Sequence, residues 1–301
     1  MKLTILGCHS ATPRWDANPT SQILEVKGHL FLIDCAEGTQ VQLRRFKVKF
    51  SRIKHVFISH LHGDHFFGLV GLISTFRLLG READLHIYGP KGIKEAVLLQ
   101  LKLGKSYTNY GLYFHELESK DPQLIFEDDT ITVTTIPLDH RIYTNGFLFQ
   151  EKLAERNLNI EKARELHIEM SYYHKIKKGA DGITKDGKTV PNAVITLDPP
   201  TPKSYAYCSD TAYFPQIVPQ IANATALYHE ATFLEQHHDL AEKTKHSTAK
   251  EAAVIAKKAE VGVLILGHYS GRYSNLESFR SEAQEVFQNV ALAEDGKVFE
   301  F

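Results

Sequence analysis

The chain has 301 residues, 43% hydrophobic and 24% charged, a composition that excludes a disordered chain. Lys+Arg 35 against Asp+Glu 36 gives a formal net charge of −1, which excludes a globally basic nucleic-acid binder and leaves only local patches for such a partner. Cys8, Cys35 and Cys208 are odd in number and form no Cys-x-x-Cys pair, so a disulfide framework is not expected and a reducing cytoplasm is. The run Lys2–Leu6 is too short for a leader core and no apolar stretch reaches membrane-spanning length, so no membrane association is expected.

In chain order, Lys2–Leu6, Gln22–Val26 and His29–Asp34 read as strands, the last two joined at Lys27-Gly28. The loop Cys8–Thr20 between the first two carries the only Trp beside an Arg, and reads equally as a packed connection or a substrate-binding lip. Asp34 ends its strand and is expected to fix neighbouring loop amides ahead of a helix over about Gly38–Arg45. Ile53–Ile58 is a buried strand, and a helical pattern runs from Phe66 to about Leu79. Strands follow at Leu85–Tyr88 and Tyr113–Glu116 around a helix from Gly92 to Leu103. Leu124–Glu127 and Ile131–Ile136 form a hairpin, and Gly146–Gln150 is again a strand.

From about Glu151 to Thr196 the pattern changes. A polar helical segment, Ile160–Met170, precedes Tyr172-Tyr173-His174-Lys175-Ile176-Lys177-Lys178-Gly179 and a Gly-containing turn region to Val190. Few apolar residues are available to bury, so this stretch reads as a protruding insertion. Paired tyrosines beside Lys175, Lys177 and Lys178, on a chain with no net basicity, favour an RNA- or phosphate-gripping arm over a solvated insertion without a role. Core patterning returns with strands at Ser204–Cys208, Ala226–His229 and Val261–Leu266, helices near Pro215–Ile221, Thr248–Ala259 and Ser274–Phe287, and two short closing strands around Glu294-Asp295-Gly296. Strands mixed with helices predict sheet layers flanked by helices, one domain over 1–301 carrying one insertion over 151–196.

The chemistry concentrates in His60-Leu61-His62-Gly63-Asp64-His65, four metal-binding side chains in six positions between a strand and a helix. His140, Asp210 and His268 each follow an apolar strand, and in layered α/β folds functional groups gather on loops at one sheet edge. Each alone reads as an ordinary polar residue. Together with the His60–His65 loop they make seven N/O ligands, more than one tetrahedral ion needs, so two metals sharing a bridging carboxylate are expected. Imidazole and carboxylate without thiolate favour Zn²⁺, with Mn²⁺ or Fe²⁺ as alternatives. Two such ions can hold a hydroxide at neutral pH and clamp the oxygens of a phosphoryl displacement, so hydrolysis is the expected chemistry.

The pattern His60-x-His62-x-Asp64-His65, with Asp34 upstream and His140, Asp210 and His268 downstream, resembles the metallo-β-lactamase superfamily. Ser209-Asp210-Thr211, His229-Glu230-Ala231-Thr232-Phe233, His246-Ser247-Thr248 and Gly267-His268-Tyr269-Ser270-x-Arg272-Tyr273 narrow the resemblance to the ribonuclease Z family, the tRNA 3′-processing endonucleases, over nearly the whole chain. The resemblance implies an α/β fold, an αββα sandwich with a protruding arm. It implies two Zn²⁺ per chain, one on His60, His62, His140 and Asp210 and the other on Asp64, His65, Asp210 and His268. Asp64 is then also the proton acceptor for the attacking water, and His246 with Glu230 delivers a proton to the leaving ribose 3′-oxygen, as an alkoxide leaving group requires. Arg272 is a candidate contact to the scissile phosphate, the alternative being a surface salt bridge. The implied product pair is tRNA with a 3′-hydroxyl and a trailer with a 5′-phosphate, made by a cytoplasmic homodimer whose arm grips precursor tRNA. Many relatives carry a Gly-Pro motif before the arm's Lys-rich turn, whereas this chain reads Glu169-Met170-Ser171-Tyr172-Tyr173-His174-Lys175, and Thr12–Thr20 also departs from the family's 3′-end-reading loop. Two rival readings share these residues: a small-molecule phosphodiesterase or lactonase, which needs no basic arm, and a non-catalytic RNA-binding protein, whose structural zinc would need only four ligands.

Overall fold

Alternating side chains in the N-terminal strands bury one face of a sheet against helices and the other against a second sheet, as a computed structural model of residues Met1–Phe301 describes. Strands β1 (Lys2–Gly7), β2 (Ser21–Val26) and β3 (His29–Cys35) pair antiparallel, and β4 (Ile53–Phe57), β5 (Leu85–Pro90) and β6 (Leu112–Leu117) continue parallel to β3. Helices α1 (Thr39–Arg45), α2 (Gly63–Phe66), α3 (Leu69–Leu78) and α4 (Ile93–Leu103) lie in this half of the chain. Leu43, Leu72, Phe76 and Val97 pack with Leu30, Leu32, Val56 and Ile87 in one core. The helix expected over Phe66–Leu79 is present as α3, and a one-turn helix, α2, precedes it within the stretch expected to be a loop. A Cβ at Gly68 would overlap the carbonyl oxygen of Ala36, so glycine lets the start of α3 pass close to the exit of β3.

The second sheet begins with β7 (Leu124–Glu127), β8 (Ile131–Pro137) and β9 (Asn145–Glu151). The chain then makes a separate compact unit from Gln150–Pro202 with Asp128–Ile131. It holds strand pairs β10 (Asn157–Leu158) with β13 (Thr196–Leu197) and β11 (Gly182–Ile183) with β12 (Thr189–Val190), and helices α5 (Ile160–Glu165), α6 (Tyr173–Lys177) and α7 (Asn192–Ile195). The expectation that this stretch has little to bury is corrected: Ala163, Ile168, Ile176 and Ile195 form a small core of its own, with Tyr172 and Tyr173 packed against it. The expected helix Ile160–Met170 ends at Glu165, because His167 takes a left-handed backbone conformation (φ 53°).

The main unit resumes with β14 (Ser204–Cys208), β15 (Ala226–Glu230), β16 (Val263–Gly267) and β17 (Val290–Leu292), all parallel, and the sheet runs β17-β16-β15-β14-β9-β8-β7. Helices α8 (His238–Thr244), α9 (Ala249–Lys258) and α10 (Glu277–Gln284) belong to this half. β18 (Val298–Glu300) joins β1 in the first sheet, so the two closing strands are not a hairpin but tie one sheet to the other. The inner faces meet in rings: Phe31 packs on Phe57 and Phe149, and Phe57 on Phe147. The main unit is an αββα sandwich whose strand exits carry His60, His140, Asp210 and His268.

Candidate metal centre

The seven predicted side chains converge. Nitrogens of His60, His62 and His140 and an oxygen of Asp210 lie within 4.8 Å of one another, as do ligand atoms of Asp64, His65 and His268. Asp210 stands between the groups. Its Oδ2 faces His60 Nε2 at 3.6 Å and His140 Nε2 at 3.8 Å, and its Oδ1 faces His65 Nε2 at 3.1 Å and His268 Nε2 at 3.2 Å. Asp64 Oδ2 is 3.6 Å from His65 Nε2 and 3.5 Å from His268 Nε2.

Backbone conformation aims these groups. Asp34, Asp210 and His268, at or just past strand ends, take left-handed φ of 54°, 59° and 60°, each costing on the order of 1 kcal/mol. Asp and His tolerate that region better than most residues. The chain therefore turns sharply where the sheet ends. Asp64 and His65 sit in the one-turn helix α2, where the sequence pattern predicts loop.

A second layer sets the tautomers. His65 donates through Nδ1 to Asp34 Oδ2 at 2.7 Å, His140 through Nδ1 to the Lys245 carbonyl at 2.8 Å, and His268 through Nδ1 to Thr232 Oγ1 at 2.8 Å. Ser59 Oγ donates to Asp34 Oδ2 at 2.9 Å and so accepts from His60 Nδ1 at 3.0 Å. Each ring thus turns an Nε2 lone pair inward, the arrangement metal-binding histidines adopt. The buried Nε2 atoms of His65 and His268 have no hydrogen-bond partner, and buried polar atoms are seldom left so. His60 Nε2 and His62 Nδ1 are 2.9 Å apart, a separation that needs a proton or a cation between them. These residues fit divalent cations.

Electrostatics agree with a cation site. Burial opposes ionisation of Asp210, yet His268, His65 and His60 hold it well below the carboxylate range. Burial also opposes Asp64, which His65 and His268 draw downward. Burial lowers His60, His62 and His140, leaving them neutral as ligands should be. Burial alone would lower His65, but Asp210, Asp34 and Asp64 drive it well up, the signature of a positive charge wanted among three carboxylates.

Beside this cluster His246 presents Nδ1 to Glu230 Oε1 at 2.7 Å. Glu230 is fully buried, and its oxygens also accept from the Thr211 N–H at 2.8 Å, the Thr232 N–H at 3.1 Å and Thr232 Oγ1 at 2.6 Å. Burial lowers His246, but Glu230 outweighs it and raises the imidazole to about 9. The ring stacks on His268 at 5.3 Å and lies 5.1 Å from His140. Lys245, left-handed at φ 60°, ends α8 just before it, and a capping box between Thr248 and Glu251 starts α9 just after. His246 is thus held between two helix ends.

Arg272 makes no surface salt bridge: its guanidinium covers the Phe233 ring at 5.3 Å, with Nε on Ser270 Oγ at 3.2 Å. Phe233 in turn meets His246 edge-on at 6.3 Å. Lys175, Lys177 and Lys178 are exposed on and just after α6 in the separate unit, Lys175 over the Tyr172 ring at 5.6 Å. The Thr12–Thr20 loop is tied down at Asn18, whose backbone and side-chain amides donate to Asp295 Oδ2 at 3.0 and 2.8 Å, and is open at its tip. Thr12, Arg14 and Asn18 line a cleft of about 480 Å³ with Asp64 and Phe67, and Trp15 is 97% exposed. Asp34 does fix a loop amide, that of Ser59 at 2.7 Å. Its hold on His65, the role of Thr232 and the bond from Tyr207 across the sandwich to Asp34 at 2.6 Å leave no mark in the sequence. Partners 31 and 173 positions apart leave no local signal.

A family model described as anti-Pycsar protein Apyc1 matches residues 1–292. Ribonuclease Z of Bacteroides thetaiotaomicron is 47% identical over 294 residues, 98% of this chain and 93% of that protein, and ribonuclease Z of Porphyromonas gingivalis is 45% identical over 291 residues, 97% and 96%. The crystal structure of the short form of human tRNase Z superposes with a TM-score of 0.74 at 28% identity, covering 100% of this chain and 99% of that one. The metallo-β-lactamase-fold protein YhfI of Bacillus subtilis gives 0.70 at 19% identity, covering 99% and 98%, a likeness of fold. The chain belongs to the ribonuclease Z family, and to the family that the Apyc1 model describes, on a metallo-β-lactamase fold.

Proposed function

We propose that this chain is a metal-dependent endoribonuclease that removes the 3′ trailer of precursor tRNA. The observation that carries the reading is the His246–Glu230 pair, a proton donor held beside a seven-ligand centre at 2.7 Å from its carboxylate. His60, His62, His140 and Asp210 would hold one Zn²⁺ and Asp64, His65, His268 and Asp210 the second. When bound, the cations lower the pKa of water and neutralise phosphodiester charge.

The residues divide the remaining work. Asp64 orients the attacking water and accepts its proton. The water oxygen bonds to phosphorus as the bond from phosphorus to the ribose 3′-oxygen breaks. His246, kept protonated by Glu230, gives its proton to that oxygen, so the tRNA leaves with a 3′-hydroxyl and the trailer keeps a 5′-phosphate. Thr232 holds Glu230 and His268 at once, which couples donor and metal geometry. Arg272, braced on Phe233, is placed in this reading at the scissile phosphate. Lys175, Lys177 and Lys178 grip the tRNA body as a basic exosite of a cytoplasmic homodimer, the single catalytic domain spanning 1–301 with its arm at 151–196. No helix is long and apolar enough to cross a membrane.

Incubation with a precursor tRNA bearing a 3′ trailer, with the cut and end groups mapped, tests the reading. One cut near the acceptor end with the stated termini is expected. An intact precursor, with rapid hydrolysis of a small phosphodiester or lactone by the same sample, would assign the centre to a small-molecule hydrolase instead.

A further inference from the structure

Away from the metal centre, a second group of histidines crosses the inner face of the first sheet: His29 on β3, His55 on β4, His86 on β5 and His115 on β6. His55 stands directly opposite His86, and their rings stack at 5.2 Å and 22°. His86 and His115 form a diagonal pair whose rings lie 5.4 Å apart, with His86 Nδ1 3.1 Å from His115 Nε2. Tyr113 stacks on His86 at 5.0 Å and Tyr88 on His115 at 4.2 Å, so both imidazoles are held flat by a cross-strand neighbour. The buried Nδ1 of His55 has no hydrogen-bond partner. β6 is the edge strand of its sheet, and both imidazoles of the pair are only part-buried.

We propose that His86 and His115 form a separate site for a divalent first-row transition ion, which clips the edge strand β6 to β5. The geometry carries this. Imidazole nitrogens about 2.0–2.1 Å from an ion and separated as these are subtend roughly 95–100°, between square-planar and tetrahedral angles. The stacked tyrosines pre-orient both rings, so little side-chain freedom is lost on binding. With one proton on His86 Nε2 and one on His115 Nδ1, both facing nitrogens carry lone pairs, so the ion replaces a hydrogen bond by tautomerisation without net proton release. Water completes the coordination, and the unpartnered nitrogen of His55 lies on the ring stacked against His86. Burial lowers His115, and burial with the neighbouring His86 lowers His55 to about 4, so these rings stay neutral at working pH.

The test loads full-length protein with Zn²⁺ by equilibrium dialysis and compares it with the double variant His86→Gln/His115→Gln. The variant should bind one ion fewer per chain and lose the Zn²⁺-dependent rise in melting temperature contributed by this clip. Its cleavage of the substrate used for the main centre should stay within about 2-fold, since neither residue belongs to that machinery. The same deficit should appear on an Asp210→Ala background, where the first centre is emptied, so the outcome is independent of how many ions that centre holds. Equal Zn²⁺ content and affinity in both proteins would overturn the site. Should the double variant fold poorly, His115→Gln alone keeps the sheet aromatic neighbours and should still lose the ion; retention would overturn the site equally.

Discussion

The main unit and the Gln150–Pro202 unit differ in how densely they are stitched. Around the first sheet, α1, α3 and α4 bury Leu43, Leu69, Leu72, Ile73, Phe76 and Val97 against the strands, whereas the smaller unit closes over Ala163, Ile168, Ile176 and Ile195. Its strands are two residues long, and its helices run four to six. A dense scaffold can hold imidazoles to a fraction of an ångström through Asp34, Thr232 and the Lys245 carbonyl, as metal coordination demands. A thin one can present exposed lysines to a large, variable RNA surface without that precision. Under the proposed function, chemistry and substrate grip rest on regions with cores of unequal size.

Substitutions should separate the two roles. Asp210→Ala has the largest expected effect: metal content falls and cleavage of both RNA and small phosphodiesters drops to background, measured by elemental analysis beside a rate assay. Retained metal with full activity would remove Asp210 from the bridging position.

His246→Ala should slow tRNA cleavage by about 10²–10⁴-fold while tRNA affinity and metal content stay near wild type. The sign of its pH dependence follows from the raised imidazole. The protonated form is needed, so the rate holds below about 9 and falls as pH rises through it. Glu230→Gln removes the charge that raises His246, so the alkaline limb should move to lower pH; an unmoved limb would place the titrating acid elsewhere.

Asp34→Ala frees His65 and Ser59 together, and should weaken metal affinity by about 10–100-fold, the usual cost of losing an outer-shell carboxylate. Titration with a competing chelator reads this out.

In the smaller unit, Ile176→Ala removes a fully buried side chain and should cost about 2–4 kcal/mol locally. Limited proteolysis should then cut within 150–202 while the main unit melts as before and still hydrolyses a small phosphodiester. Reversing charge at Lys175 and Lys177 should have the smallest effect, weaker tRNA binding and a shallower salt dependence, visible in binding titrations at several salt concentrations. An unchanged salt slope would take these lysines out of the RNA contact.

The same contrast explains what could be read from the sequence. Period-two strands with Val, Ile and Leu on both faces announce themselves, and β4 with its His60–His65 loop was visible because strand, ligands and helix are contiguous. His140, Asp210 and His268 could be read because each follows an apolar run. The core of the smaller unit could not: Ala163, Ile168, Ile176 and Ile195 are spread over 33 positions without a period. The stop at His167 depends on a left-handed residue, which does not alter hydrophobic periodicity. Thr232 is one letter of a motif in the sequence, and its hydroxyl joins Glu230 to His268 only in the fold.

If His246, charged by Glu230, protonates the leaving 3′-oxygen, replacing that oxygen by sulfur at the scissile linkage should make the proton unnecessary. A thiolate leaves without needing a proton, since thiols ionise near pH 8.5. Single-turnover cleavage of the oxygen and sulfur substrates by wild type and His246→Ala should show a large deficit on oxygen that nearly vanishes on sulfur. An equal deficit on both would contradict the account, leaving His246 a structural neighbour of the metals rather than the acid.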